Sequence, residues 1–225
     1  MKIARSGKEL LEICAAEQIS LSEYAIRQEM ELKNVSREDL FAQMKITLDA
    51  MKESATAGRE KKVYSLSGLI GGDAYRLQQY CNTGNSLMGN GIVMAMAMAI
   101  SSSEVNGAVA SGAVVELMGG TPKMSLDAAA IIFKNVLGLV CDPVAGLVEI
   151  PCAKRNVSGA INALCTADMV MAGVNSKIPF DDAVAAMYKV GTGLPEELRE
   201  TALGGCAITP TGKALQEKVF GKKEN

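Results

Sequence analysis

Ser125-Leu-Asp-Ala-Ala-Ala-Ile-Ile-Phe-Lys-Asn-Val-Leu-Gly-Leu-Val140 carries only two charges, Asp127 and Lys134, and is otherwise almost continuously apolar. It does not alternate, it is rich in Ala, and it exceeds the usual length of a buried strand, so it reads as a buried helix. Ser86–Val105 and Ala108–Met118 read the same way. Further helices are expected over Ser158–Ala172, Asp181–Lys189 and Pro195–Leu203, with Asp181 and Pro195 placed at starts. The expected fold is all-α.

Composition supports this reading. Hydrophobic residues make up 48% of the 225-residue chain and aromatic residues only 4%, with no Trp and 13 Met, a mix that favours helices over sheets. Charge then divides the chain. Residues 1–62 hold 22 of the 48 charged residues, whereas residues 77–122 hold two, Glu104 and Glu116. The first region reads as a small N-terminal cap of solvated amphipathic helices. Ser6 can cap a helix carrying Leu10, Leu11 and Ile13, and Ser20 with Glu23 forms a capping box. Ser36 caps a third helix, bearing Leu40, Met44, Leu48 and Met51, that Ala57-Gly58 is expected to end. A turn-rich hinge, SLSGLIGGDAYRLQQY, leads into the second region, residues 63–225. Met94, Met96 and Met98 spread around a helix axis and read as core filler. The polar tail, Lys213 to Asn225, is expected to fray at its end.

Several function classes fall away at this stage. Twenty-three basic against 25 acidic residues leave a net charge of −2, with no electrostatic footprint for nucleic acid. MKIARSGKELLEICAAEQ is a charged helical pattern rather than a signal peptide. Gly91–Ile100 is too short to span a bilayer. A cytoplasmic protein is expected, so its six Cys are expected reduced. There is no His, so any base or metal ligand must be another group.

Cys141-Asp-Pro-Val-Ala-Gly-Leu-Val-Glu-Ile-Pro-Cys152-Ala-Lys-Arg-Asn156 carries the chemistry. Pro143 should stop the preceding helix near Cys141, and Pro151 biases Ile150 to an extended conformation, with a new helix beyond Asn156. Both thiols can then lie at helix ends beside a loop. Lys154 and Arg155 are positioned to lower a thiol pKa, and the thiolate is the metal-binding form. The spacing matches neither a zinc ribbon nor a ferredoxin, so the residues alone leave a metal site and buried structural thiols both open.

CDPVAGLVEIPCAKRN closely resembles the signature of the iron–sulfur-dependent L-serine dehydratases. SGLIGGDAYRLQQY, AVVELMGGTPKM, NALCTADMVMAGVNSKIPFDDAVAAMYKVG and LPEELRETALGGCAITPTG also look like segments of that family, so the resemblance covers roughly residues 8–216. It implies an α subunit that converts L-serine to pyruvate and ammonia with a [4Fe-4S] cluster as Lewis acid on the serine hydroxyl. By position, Cys141 and Cys152 match two of three cluster cysteines. Lys154, Arg155 and Asn156 fall where the family has its Lys-Arg-Asn, and they are expected to contact substrate or cluster. The family's second module, bearing a Ser-Ser-His-Thr type motif, is not in this chain, which implies a separate β subunit and an oligomer.

The chain departs from the pattern at one place. Family α chains carry a long insert between the segments seen here as SSSEVN, residues 101–106, and AVVELMGG, residues 113–120. That insert holds a Pro-Thr-Ala-Gly loop and a Gly-Gly-Cys-Gln motif with the third cluster cysteine. Here only GAVASG, Gly107 to Gly112, joins the two landmarks, as a smooth small-residue helix. Cys81, Cys165 and Cys206 each read as core residues before replacement ligands, and Cys206, in a loop of the kind that borders sites, is the best of the three for that role. Two other readings stand beside the enzyme: a catalytically inactive, shortened homologue acting as a partner subunit, and a two-cysteine zinc or redox helical protein.

Overall fold

The computed structural model describes residues 3–59 and 102–221. The expected hinge, most of the Ser86–Val105 helix, the three clustered Met and Cys81 lie outside those residues. Among the described residues the fold is all-α, with one isolated bridge, Cys141 to Arg199, and no strand. No helix among them is long and apolar enough to cross a membrane.

Three charged helices come first: α1 (Gly7–Glu17), α2 (Leu21–Lys33) and α3 (Arg37–Arg59). Their starts follow the capping logic of the sequence. The side-chain oxygens of Ser6, Ser20 and Ser36 accept from the N–H groups of Glu9, Glu23 and Asp39, each at 3.1 Å, satisfying donors that the first helical turn leaves without partners. Gln18 and Asn34 end α1 and α2 in the left-handed conformation. Gly58 does not end α3, which runs on to Arg59. The apolar seam of α1 and α2 is Leu10, Cys14, Leu21 and Tyr24, and it closes over Leu126 and Phe180 of the second region.

The second region is a bundle of α4 (Ser102–Leu117), α5 (Pro122–Asn135), α6 (Cys152–Met171) and α7 (Phe180–Gly193), followed by α8 (Pro210–Phe220). Small side chains bring the axes of α4, α5 and α6 together. A Cβ on Gly107 would stand 3.3 Å from the Gly159 carbonyl oxygen of α6, and one on Gly112 would stand 3.3 Å from that of Ser125 in α5. The GAVASG junction thus lies inside one uninterrupted helix, with Ala108, Ala110 and Ser111 buried. Around it pack Ile132, Phe133, Ala183 and Met187 on one side and Val115, Ala128, Ile131, Ala167 and Val170 on the other.

Several helix boundaries differ from expectation, most for a local reason and one through a distant pairing. α5 begins at Pro122 behind the Thr121 cap and stops at Asn135 rather than near Cys141, because Gly138 turns the chain at φ +78°. α6 starts at Cys152, so Lys154, Arg155 and Asn156 belong to its first turn and not to a loop ahead of it. The helix expected over Pro195–Leu203 shrinks to a 3₁₀ turn at Glu196–Leu198, since Glu200 and Ala202 take positive φ and the chain pairs with Cys141. The polar tail is helical as far as Phe220, capped by Thr209 with Pro210 at its first position.

Candidate functional site

Beyond Gly138 the chain reaches Cys141 in extended form. The Cys141 N–H donates to the Leu198 carbonyl at 2.9 Å and the Glu200 N–H donates to the Cys141 carbonyl at 2.7 Å. Cys141 therefore sits on a two-sided backbone clip, not at a helix end as its sequence suggested. After Pro143 a 3₁₀ turn forms at Val144–Gly146, with Ala145 and Gly146 at positive φ. The Val144 N–H donates to the Ile150 carbonyl at 2.8 Å, closing the loop, and a cis Ile150–Pro151 peptide leads into Cys152. Cys152 is the first residue of α6, where the helix leaves its N–H groups facing outward.

Asp142 organises this turn. The residue is 1% exposed. Arg155 Nη1 donates to Asp142 Oδ1 and to the Val140 carbonyl, both at 2.7 Å. The Cys206 N–H donates to Asp142 Oδ2 at 2.6 Å. Gly205 makes this approach possible: at φ +55° it turns its missing Cβ towards Asp142, and a real Cβ there would stand 2.2 Å from Oδ2. Only glycine fits. One level further out, a Cβ on Gly212 would meet the Cys206 carbonyl oxygen at 2.3 Å, so the first turn of α8 rests on the same corner.

The electrostatics follow the geometry. Burial alone would raise the Asp142 pKa, but the Cys206 N–H, the Arg155 guanidinium and the Cys206 thiol together outweigh it and hold the carboxyl below its ordinary range. The hydrogen bond to Asp142, then burial, push the Cys206 thiol up. Burial also pushes Cys152 up and exceeds the opposing pull of Arg155, so the expected lowering of that thiol by nearby cations is overturned.

Of the residues singled out in the sequence, the fold brings Cys141, Cys152, Arg155 and Cys206 to one turn, joined through Asp142. Lys154 and Asn156 follow Cys152 in the first turn of α6. Cys165 and Cys206, both expected in the core, are exposed, and Cys14 is buried in the N-terminal seam. Sequence reasoning passed over Asp142 and Gly205. An acid wedged between a cysteine and a proline, and a Gly-Gly pair ahead of Cys206, were the available signals.

A three-cysteine cluster site needs three thiols converging. Cys141 and Cys152 are donors of the right kind, but among the described residues no group of three His, Cys, Asp or Glu is arranged to hold a metal ion. The described residues therefore fall short of a complete cluster ligand set.

A helical chain built around a Cys-Asp-Pro turn is the class these features define. The model of the serine dehydratase alpha chain family matches residues 16–109 and 107–207, and the chain belongs to that family. The probable L-serine dehydratase alpha chain of Bacillus subtilis is 39% identical over 287 aligned positions, covering 96% of this chain and 95% of that protein. The L-serine dehydratase alpha chain of Peptoniphilus asaccharolyticus is 31% identical, covering 94% and 96%. A third relative, the probable L-serine dehydratase alpha chain of Latilactobacillus sakei, is 57% identical over 121 residues, covering 53% and 58%. The two stretches of the family match overlap at residues 107–109, within GAVASG. An alignment of 287 positions on a 225-residue chain means that the Bacillus protein has residues without a counterpart here.

Proposed function

We propose that this chain is the α subunit of an L-serine dehydratase, a lyase that converts L-serine to pyruvate and ammonia together with a separate β subunit in the cytoplasm. The observation that carries the reading is family membership along nearly the whole chain, centred on the turn from Cys141 to Asn156. Residues 1–62 are proposed as the helical cap and residues 63–225 as the domain bearing the site. Lys154, Arg155 and Asn156 are proposed for substrate or cluster contacts. A [4Fe-4S] cluster is the cofactor that the family reading brings, with Cys141 and Cys152 proposed as ligands and Cys206 as the third. Because the described residues do not complete that set, the reaction is proposed at the level of substrate and products.

The test is pyruvate formation from L-serine by the chain purified anaerobically with its candidate β subunit, alongside iron and sulfide content. Activity with near four irons per chain, as a [4Fe-4S] centre requires, is expected, and Cys141→Ser is expected to remove both. Neither iron nor pyruvate would leave the chain as a shortened, inactive partner subunit that has kept the family fold.

A further inference from the structure

Asp142 is the one acid among the described residues with almost no solvent contact. It takes no part in capping a helix or in the surface ion pairs. Its two oxygens face two different segments: Oδ1 takes Arg155 from the first turn of α6, and Oδ2 takes the Cys206 N–H from the C-terminal loop. Arg155 is in turn fixed by the Val140 carbonyl, one residue before Cys141. Gly205 lacks the one atom that would block the approach. Three stretches far apart in sequence, 140–142, 152–155 and 205–206, therefore meet on a single carboxylate.

We infer that Asp142 is a positioning residue of the proposed dehydratase site, holding the Gly205–Cys206 corner against the Cys141 turn and fixing Arg155 beside Cys152. This rests on the proposed function for its catalytic consequence, but not for its geometry. Loss of a hydrogen bond to a buried charge alters an equilibrium by roughly ten- to a hundredfold. Asp142→Asn leaves one acceptor oxygen for two donors. The charged Arg155 guanidinium holds it more strongly than a neutral N–H, so the amide NH2 turns towards the Cys206 N–H and the corner should detach. Gly205→Ala should detach it from the opposite side, with Asp142 intact.

The experiment uses the full chain with its candidate β subunit. In the wild type, native-state hydrogen exchange should show the Cys206 amide protected like the amides of α4 and α5. In folded Asp142→Asn and Gly205→Ala, exchange of the Cys206 amide should accelerate by about tenfold or more, and kcat/KM for L-serine should fall by a similar factor. The double variant should be no worse than the worse single one, since both changes break one contact. A merely structural aspartate would lower the melting temperature while leaving kcat/KM of the folded variant unchanged, and that result overturns the inference. A wild-type Cys206 amide that exchanges as fast as exposed loop amides overturns it without any variant, so misfolding of the variants does not shield it. Absence of pyruvate from the wild-type preparation strikes the dehydratase reading instead. The amide measurements do not depend on turnover and still decide the positioning of Cys206.

Discussion

The N-terminal helices and the α4–α7 bundle are both helical, yet they are held by different means. In α1 to α3 each start is fixed by a serine cap, the surface is laced by pairs such as Arg27 with Glu17 and Glu23, and one narrow seam faces inward. In the bundle the caps are fewer and the close approach of backbones at Gly107 and Gly112 takes their place. Helices held by local devices tolerate changes of side-chain size on most of their surface. Helices packed through glycine and alanine do not, because the neighbouring backbone has nowhere to go.

The largest effect is expected from Ile132→Ala, at 2% exposure in the middle of α5. It should cost about 2–5 kcal/mol in urea unfolding, as deletion of a buried branched chain does where the surroundings close up poorly. Leu40→Ala, in α3 and 8% exposed, should cost clearly less, and equal losses would break the contrast between the regions. Next comes Gly107→Val, which drives a branched side chain against the Gly159 backbone. Overpacking of about 1–3 kcal/mol is expected, and a neutral result would show that α4 and α6 separate easily.

Besides the apolar seam, two carboxylates of the bundle reach the N-terminal helices: Glu116 accepts from the Ser22 N–H and hydroxyl at the start of α2, and Asp181 reaches α1. The Asp181 side chain, at the start of α7, accepts from the Gly7 N–H at 2.6 Å and the Lys8 N–H at 3.1 Å, so the bundle caps the first helix of the other region. Asp181→Asn should cost on the order of 1 kcal/mol. The measurement that sharpens the comparison is hydrogen exchange, in which α1 amides should lose protection while α5 amides keep theirs.

What was legible in the sequence follows the same division. Local chemistry could be read directly: Ser6, Ser20 and Ser36 capped where expected, and α4 ran through the junction as small residues predicted. Long-range chemistry could not. No local signal says that Cys141 will pair with residues 198–200, so the propensity of Pro195–Leu203 for helix was overridden by a bridge to Cys141, far back in the chain. The same holds for the site. Cys141, Cys152 and Arg155 stood out by type and spacing, whereas the role of Asp142 depends on Gly205 and Cys206 arriving from the far end of the chain.

The smallest effect separates two carboxylates, one from each region. Glu23 is held below its ordinary pKa by hydrogen bonds from Arg37 and then Arg27, on the surface. Asp142 is also held low, in the interior, where burial opposes the shift and the Cys206 N–H and Arg155 overcome it. A group with a depressed folded pKa contributes stability above its unfolded value, and that contribution is lost as pH falls through the folded one. Both should therefore destabilise the protein below about pH 4, the ordinary carboxylate range. They should not do so equally, because the Glu23 pairs are screened by water and salt. Glu23→Gln should barely change the fall of the melting temperature between pH 5 and pH 3, and not at all in 1 M salt, whereas Asp142→Asn should flatten it in both conditions. If Glu23→Gln flattened the acid limb as much as Asp142→Asn, the surface network would be holding the N-terminal helices as firmly as the buried carboxylate holds the Cys141 turn, and the contrast between the two regions would fail.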